Sequence, residues 1–325
     1  MFFAVHKIIM RSRPLVLVTH HQVQPLALDL LRQHCDVIVP ESDFPTRTQI
    51  LALCPGVDGL LWTSYKIKLD REVLDTCGTQ LRAISLTMNG VDCVDVPEIN
   101  KRNIPLGHTP TIPNGAVADV AIGLMIAAGT GFWHPPTDCT HAFTIQGATV
   151  GIVGFGGIGQ LVAKRLKGFD VGAILYYSRS VSGQAKDLNA QFVTKDELLR
   201  GSDYLFVCCP LTCETAGMFD RAAFAKMKSS AVIINIARGA IVDEMALIDA
   251  LKDGTIRAAG LDTVTTEPAP PESELFRLPN CVLVPHLGTA TKRTRDEMAL
   301  RAVENVLAGL RRNLMPSPYP PPPAD

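Results

Sequence analysis

A run of glycines directly after an apolar strand, GIVGFGGIGQ at residues 151–160, constrains the fold more than any other feature of this chain. The glycines have the spacing G-x-G-x-x-G and lie between the β-branched stretch TVGIV and the helical stretch QLVAKRLKGF. In such a strand-turn-helix unit Gly154 makes the tight turn, Gly156 lets the backbone approach a pyrophosphate, and Gly159 lets the helix pack closely on the strand. The N–H groups at the helix N-terminus favour a phosphate. The stretch therefore predicts a dinucleotide-binding turn.

The charge balance and the cysteine pattern exclude several classes of partner. The 325 residues include 31 Lys plus Arg and 32 Asp plus Glu, so a broad basic surface for nucleic acid or an anionic membrane is not expected. No apolar run in the sequence approaches the roughly 18 residues that span a bilayer. The nine cysteines are scattered without metal-ligand spacing, as in the reduced interior of a cytoplasmic protein. We expect small molecules or other subunits as partners, and no metal.

The alternation of short apolar strands with helical stretches predicts an α/β chain with two Rossmann-like or flavodoxin-like lobes, each built on a doubly wound parallel sheet. Strands of the first lobe are expected at residues 15–19, 36–39, 59–63 and 81–87. Those of the second lobe are expected at residues 149–153, 173–177, 204–209, 231–237, 256–262 and 281–286. The glycine turn belongs to the first strand of the second lobe, which makes that lobe the dinucleotide-binding domain.

Two long helical stretches, at residues 114–129 and 291–312, bracket the second lobe and indicate the domain boundaries. The expected divisions are a frayed N-terminus at 1–13, a substrate (catalytic) domain at 14–112 plus 292–315, a dinucleotide-binding domain with its crossing helix at 113–291, and a disordered proline-rich tail at 316–325.

Polar residues follow three strands of the second lobe, at the carboxyl edge where open α/β sheets bind ligands. Arg238 follows one strand, Asp262 the next and His286 the last, and Glu267 comes shortly after Asp262. Reduction of a 2-oxo acid needs a hydride from the cofactor, a proton for the carbonyl oxygen and a cation for the carboxylate. Arg238 offers a bidentate fork for the carboxylate. His286 can supply the proton, because a neighbouring Glu267 favours the charged imidazole.

The chain resembles the D-2-hydroxyacid dehydrogenase family over nearly its whole length, and four segments carry the resemblance: GIVGFGGIG, INIARGAIVDEMALIDAL, IRAAGLDTVTTEP and VLVPHLGTAT. The resemblance implies that Arg238, Glu267 and His286 form the catalytic triad. It also implies that TMNGVD, residues 87–92, is a substrate loop whose backbone N–H groups bind the substrate carboxylate. The segment CVLVPHLGTATKRTR is most similar to the glyoxylate/hydroxypyruvate reductase branch. A homodimer is expected from the resemblance alone.

The cofactor is expected to be NADPH, with NADH left open. For NAD, an Asp or Glu about 20 residues beyond the glycine turn binds the ribose 2′-OH. Here ILYYSRS has Ser178 and Arg179 at that point, and a cation suits a 2′-phosphate. The residues expected to bind the cofactor are Gly154, Phe155, Gly156, Gly157, Ile158, Gly159, Ser178, Arg179, Pro210, Ala237 and Asp262. Those expected to bind the substrate are Asn89, Gly90, Arg238 and His286.

The chain departs from the family pattern at residues 130–146, where TGFWHPPTDCTHAFTIQ leads from the crossing helix to the glycine-turn strand. Family members usually continue that helix in an arginine-rich stretch and add an arm that helps to form the dimer, whereas the two prolines here cannot continue a helix. Asp119 also replaces the usual Glu of the crossing helix. The effect of this shorter connection on activity and dimer formation stays open.

The sequence therefore predicts an oxidoreductase that transfers a hydride from NADPH to a small 2-oxo acid, glyoxylate or hydroxypyruvate, to give the D-2-hydroxy acid. One alternative is a reductase for another 2-oxo acid, of the 2-ketogluconate or phosphoglycerate type. The other is a catalytically weak protein that binds and senses a dinucleotide. Turnover separates these classes, because a sensor binds the cofactor and reduces substrate negligibly.

Overall fold

The computed structural model of the chain describes residues 12–20, 23–42, 44–131 and 144–320. The chain divides into two compact units, unit 1 with Met1–Ile112 and Lys292–Asp325, and unit 2 with Pro113–Thr291. Each unit contains one parallel sheet and its own helices, which confirms the expected α/β class. Within the described residues, none of the helices is long and apolar enough to cross a membrane.

The helices and strands follow one another along the chain as β1 (Leu15–Val18), α1 (Pro25–His34), β2 (Asp36–Ile38), α2 (Arg47–Leu53), β3 (Gly59–Trp62), α3 (Arg71–Cys77), β4 (Ala83–Leu86), α4 (Val96–Lys101), β5 (Leu106–Gly107), α5 (Asn114–Thr130), β6 (Thr149–Val153), α6 (Gly157–Leu166), β7 (Ala173–Tyr177), β8 (Ala190–Phe192), α7 (Lys195–Gly201), β9 (Tyr204–Val207), α8 (Arg221–Phe224), β10 (Val232–Asn235), α9 (Glu244–Lys252), β11 (Ala258–Leu261), β12 (Cys281–Leu283) and α10 (Lys292–Leu310). Short 3-10 helices occur at Lys167–Phe169, Gly239–Ile241 and Glu274–Arg277.

The sheet of unit 1 has five parallel strands in the order β2-β1-β3-β4-β5, which is the flavodoxin-like order. Its central strands are buried on both faces, as continuous apolar runs in a parallel sheet predict. In β1, Leu15 and Leu17 contribute to one hydrophobic core, whereas Val16 and Val18 contribute to a second core that contains residues of α1 and α10. Successive side chains thus hold helices against both faces of the sheet.

The sheet of unit 2 has seven parallel strands in the order β12-β11-β10-β9-β6-β7-β8. The chain enters at β6, adds β7 and β8 on one side, and then returns to add β9 to β12 on the other side. The direction of winding therefore reverses at β6, and this reversal is the point at which doubly wound sheets bind dinucleotides. Helices α5 and α6 pack together and contribute to the core on one face of this sheet.

Two short edge strands, β5 and β8, were not predicted from the sequence. The stretches LG and AQF are too short to show a hydrophobic period; β5 pairs with β4, and β8 pairs with β7. Both strands extend the sheets without changing the predicted class.

The expectation of a disordered tail at residues 316–325 is wrong for the part that the structure describes. Pro318 pairs antiparallel with Gly107 of the edge strand β5, and the N–H of Tyr319 donates to the carbonyl of Leu106 (2.7 Å). An edge strand has unpaired backbone groups that a further segment can use, and proline is tolerated in such a segment. Residues 321–325 lie outside the described residues.

The expectations for the N-terminus and for the shorter connection fall mostly outside the described residues, at 1–11 and 132–143. Arg13, the last residue expected to be frayed, donates from Nη2 to the carbonyl of Cys35 (3.0 Å). Helix α5 ends at Thr130, and Gly131 follows it in the left-handed region at φ 73°.

Candidate active site

The glycine turn between β6 and α6 has the geometry that the sequence predicts. Gly154 has φ +88°, and a Cβ there would lie 2.6 Å from the backbone nitrogen of Cys209. A Cβ on Gly159 would overlap the carbonyl oxygen of Gly154. At Gly156, by contrast, the space around a Cβ is open to 4 Å among the described residues. The turn is therefore closely packed at its two ends and open in the middle, where a phosphate group has room.

The N-terminus of α6 is suited to an anion. Gly156 is its N-cap, and among the described residues no side chain caps the first turn, so the N–H groups of Gly157 and Ile158 face no capping oxygen. Phe155 is buried and stacks on Tyr176 of β7, with 4.2 Å between the ring centroids. This turn fits a dinucleotide pyrophosphate.

The residues after β7 lie where the sequence predicts contact with the ribose. The hydroxyl of Ser178 donates to the carbonyl of Ser180 (2.6 Å). Arg179 is exposed and forms no ion pair within the part of the chain that the structure describes. Gln160 of α6 ties this segment to the glycine turn, since its Nε2 donates to the carbonyl of Phe155 (3.0 Å) and lies 3.4 Å from Oγ of Ser182.

Arg238 follows β10 in a turn that Asn235 shapes. The Asn235 side chain is buried; its Nδ2 donates to the carbonyl of Arg238 (2.9 Å), and its Oδ1 accepts from the N–H of Ala237 (3.1 Å). The guanidinium of Arg238 donates from Nη1 to the carbonyl of Ala237 (2.8 Å). A Cβ on Gly239 would overlap the backbone at Val264, so the turn packs tightly against the segment that leads to Glu267.

Glu267 and His286 form an ion pair at the carboxyl edge of the same sheet. Oε2 of Glu267 lies 2.7 Å from Nδ1 of His286, and Oε1 accepts from the N–H of Val264 (3.3 Å). The side chains are 15% and 29% exposed, so solvent screens the pair only in part. A carbonyl compound at this edge would meet an imidazole whose Nδ1 is already bonded to a carboxylate. The carboxylate therefore fixes the orientation of the ring.

Asp262 anchors the loop that carries His286. His286 has φ +52°, which non-glycine residues rarely adopt, and its N–H donates to the carbonyl of Asp262 (3.1 Å). The N–H groups of Leu287 (2.6 Å) and Gly288 (3.0 Å) donate to the two carboxylate oxygens of Asp262. Burial raises the pKa of this carboxyl, which is 2% exposed. The sequence predicts Asp262 as a cofactor ligand, whereas the contacts of the structure are with this loop.

The other predicted residues lie at the ends of strands. Pro210 is exposed three residues after the end of β9, and its carbonyl accepts from the hydroxyl of Thr215 (2.7 Å). Asn89 is exposed and Gly90 half-buried in the loop after β4 of unit 1. Asp119, the departure in α5, accepts from Nε of Arg165 (2.6 Å) and so links α5 to α6.

Sequence reasoning missed two supporting residues, Asn235 and His108. An Asn at the end of a strand often bonds the backbone two residues on, so Asn235 had a recognisable signal. His108, whose Nδ1 lies 3.2 Å from the carbonyl oxygen of Asn89, follows a strand too short to predict, and the sequence carries no signal for it. Among the described residues, no group of three or more His, Cys, Asp or Glu side chains is arranged to hold a metal.

Comparison with known proteins agrees with this geometry. Residues 127–288 match the model of the D-isomer specific 2-hydroxyacid dehydrogenase, NAD binding domain. A glyoxylate reductase/hydroxypyruvate reductase of Mus musculus is 40% identical over 299 residues, which cover 87% of this chain and 90% of that protein. A glyoxylate reductase of Thermofilum pendens is 38% identical over 324 residues, with 94% of each chain covered.

A solved structure from the same group of reductases is also similar to this chain. An NADPH-dependent glyoxylate/hydroxypyruvate reductase from Sinorhizobium meliloti, crystallised with NADP and malonate, is similar with a TM-score of 0.82 and 29% identity, over 96% of this chain and 98% of that chain. The family resemblance found in the sequence is therefore confirmed, and this chain belongs to the D-isomer specific 2-hydroxyacid dehydrogenases.

Proposed function

We propose that this chain is a reductase that transfers a hydride from NADPH to glyoxylate or hydroxypyruvate and gives the 2-hydroxy acid, in the D form where the product is chiral. The observation that carries the proposal is the contact of 2.7 Å between Nδ1 of His286 and Oε2 of Glu267, on the same sheet edge as the glycine turn. The curated relatives from mouse and Thermofilum, named for these activities, support the choice of substrate.

In this proposal His286 is the general acid. Its Nδ1–H donates to Glu267, and its Nε2–H delivers a proton to the carbonyl oxygen of the substrate. Transfer of the proton leaves the imidazole neutral, and a proton from solvent restores it. A bound nicotinamide dinucleotide supplies the hydride that reaches the carbonyl carbon. A hydride and a proton together convert the C=O group into the secondary or primary alcohol of the 2-hydroxy acid.

Arg238 binds the substrate carboxylate in this proposal. The family resemblance separately implies that the backbone N–H groups of Asn89 and Gly90 bind a carboxylate. A guanidinium fork binds a carboxylate through two parallel hydrogen bonds, which fixes the orientation of the carbonyl carbon. Tight turns around Arg238 keep the fork in place, because Asn235 and Gly239 leave the backbone little freedom.

NADPH is the proposed cofactor. The exposed Arg179 at the end of β7 offers a cation for a 2′-phosphate, and neither Ser178 nor Arg179 supplies the carboxylate that binds the 2′-hydroxyl of NAD. The related enzyme of Sinorhizobium meliloti, described as NADPH-dependent, supports the same preference.

We also propose a cytoplasmic homodimer. The eight cysteines in the described ranges form no disulfide, in keeping with a reducing compartment. The dimer is carried over from the family resemblance. Light scattering of the purified chain checks it, and a monomeric mass would remove it.

The function is tested by NADPH oxidation by the purified chain with glyoxylate and with hydroxypyruvate, repeated with NADH and with His286→Ala. We expect turnover that prefers NADPH and is lost in the variant. Cofactor binding without turnover by the wild-type chain would contradict the proposal and favour the dinucleotide sensor. Turnover that survives in His286→Ala would remove His286 as the acid.

A further inference from the structure

The substrate loop of unit 1, residues 87–92, is held by its carbonyl groups. The carbonyl of Met88 accepts from the N–H of Thr109 (3.1 Å), and the carbonyl of Asn89 lies 3.2 Å from Nδ1 of His108. In the described part of the chain, the backbone N–H groups of Asn89 and Gly90 donate no hydrogen bond. The carbonyl groups of Met88 and Asn89 are therefore held by Thr109 and His108, whereas the N–H groups of Asn89 and Gly90 stay available for an anion.

His108 is the side chain that provides one of these two contacts. Burial lowers the pKa of its imidazole, which favours the neutral ring at neutral pH. A carbonyl oxygen can only accept, so the proton of the neutral ring lies on Nδ1 and is donated to Asn89. The edge-on ring of Tyr319, 5.3 Å away between centroids at 81°, leaves the imidazole little freedom to rotate.

The backbone of His108 is fixed as well. Its N–H donates to the carbonyl of Ser317 (3.0 Å), and its carbonyl accepts from Nδ2 of Asn305 in α10 (3.0 Å). Asn305 is fully buried and packs directly on Gly107, where a Cβ would lie 2.6 Å from the Cβ of Asn305. The position of His108 is therefore determined by α10 on one side and by the end of the chain on the other.

Residues 315–319, which we call the C-terminal strap, are bonded both to α10 and to β5. The N–H of Ser317 donates to Oδ1 of Asn305 (2.9 Å), and the hydroxyl of Ser317 accepts from Nη1 of Arg301 (2.8 Å). The N–H of Tyr319 donates to the carbonyl of Leu106 (2.7 Å). Met315 and Ser317 are buried. These contacts fix the strap in place and bring the ring of Tyr319 next to His108.

We propose that His108 is a positioning residue for the substrate loop and that the C-terminal strap holds His108 in the orientation that this role needs. The inference rests on the proposed function of the loop as a carboxylate-binding segment. A loop whose carbonyls are fixed presents its N–H groups in one arrangement, so less freedom is lost when the carboxylate binds. A loop without these contacts must be ordered by the substrate itself, and the affinity falls.

Four variants of the full chain test the proposal. His108→Ala and Tyr319→Ala remove the donor and the supporting ring. Their matched controls are His108→Asn, whose amide nitrogen lies near the place of Nδ1, and Tyr319→Phe, which keeps the ring. For both Ala variants we expect KM for glyoxylate to rise about three- to tenfold, the effect of one lost hydrogen bond, with kcat and KM for NADPH unchanged. The two controls should stay close to wild type.

A second readout does not depend on turnover. Amide hydrogen exchange in the peptide that contains residues 87–92 should be faster in His108→Ala and Tyr319→Ala than in wild type, and should return to the wild-type rate in His108→Asn and Tyr319→Phe. Unchanged exchange in both Ala variants would overturn the proposal. So would a KM rise that appears equally in the controls. If His108→Ala does not fold, the comparison of Tyr319→Ala with Tyr319→Phe tests the proposal.

These readouts also separate this inference from the proposed function. A wild-type chain that reduces no 2-oxo acid would remove the function, while the exchange rates would still decide whether the strap and His108 order the loop. If the wild-type chain reduces 2-oxo acids, but neither the exchange rate nor KM changes in any of the four variants, the proposed function stands and the positioning role of His108 is wrong.

Discussion

Nδ1 of His286 lies 2.7 Å from Oε2 of Glu267, and the loop that carries the imidazole is bonded to Asp262 by three successive backbone N–H groups. The carboxylate fixes the ring, and the aspartate fixes the backbone at an uncommon φ of +52°. The two contacts fix the ring and its loop in place, which suits the proposed role of His286 as the general acid.

Replacement of Glu267 by Gln tests the charge of this pair while it keeps a hydrogen-bonding group of the same size. Reduction needs a protonated imidazole, and a neutral amide stabilises that form less than a carboxylate does. We expect kcat to fall about 10- to 100-fold at neutral pH. Steady-state rates with glyoxylate measure the effect. Glu272→Gln, at an exposed position nearby in the chain, is the control and should leave kcat unchanged. An unchanged kcat in Glu267→Gln would contradict the role of Glu267.

The sheet edge of this site was predictable from the sequence, and the contacts that support it were not. Arg238, Asp262 and His286 each follow an apolar run, and parallel strands bring their carboxyl ends together whatever the packing around them. The use of Asp262 as a loop anchor depends on the backbone conformation at His286, which no spacing reveals. The ordered strap was missed because a proline-rich segment gains structure here from tertiary contacts, among them those with the edge strand β5 and the buried Asn305.

Charge reversal at Arg179 tests the cofactor preference. Arg179→Asp removes the cation proposed for the 2′-phosphate and adds a carboxylate that can accept from a ribose hydroxyl. We expect the ratio of kcat/KM for NADPH to that for NADH to fall by about 100-fold, since hydrogen bonds to charged groups contribute about 1.5–3 kcal/mol each. Initial rates with both cofactors provide the ratio. Arg277→Asp makes the same charge change at an exposed position in unit 2, and a comparable fall there would show a general electrostatic effect instead.

The glycine turn offers a pair of substitutions with opposite expected results. At Gly159 a methyl group would overlap the carbonyl oxygen of Gly154, so Gly159→Ala should lower the free energy of unfolding by about 1–3 kcal/mol. At Gly156 a methyl group enters open space at φ −82°, so Gly156→Ala should change stability by less than about 1 kcal/mol.

The second substitution should nevertheless weaken NADPH binding about tenfold or more, because the methyl group occupies the space into which a pyrophosphate would fit. Thermal melting without cofactor and titration with NADPH separate the two effects. Equal losses of stability in both variants would show that the middle of the turn is not open, and unchanged affinity in Gly156→Ala would mean that the phosphates bind elsewhere.

The imidazole of His108 predicts a pH dependence of the stability of unit 1. Burial lowers its pKa below the ordinary value of 6.5, so near and below that pH the unfolded chain binds more protons than the folded chain. Stability contributed by the neutral ring is therefore present above about pH 6.5 and is lost as the pH falls through and below that value. His108→Asn has no titrating group at this position and should lack this loss.

Urea unfolding at about pH 7.5 and about pH 5.5 measures the difference. Trp62 is fully buried in unit 1, and one of the two tryptophans of the chain can be removed by Trp133→Phe, so the fluorescence of Trp62 then reports on that unit. The other titrating groups are common to both proteins and cancel in the comparison. We expect the wild-type chain to lose more stability on acidification than His108→Asn does. An equal loss would mean that the ring of His108 is as readily protonated in the folded chain as in the unfolded one. The neutral, Nδ1-donating imidazole that holds the carbonyl of Asn89 would then not be favoured by burial.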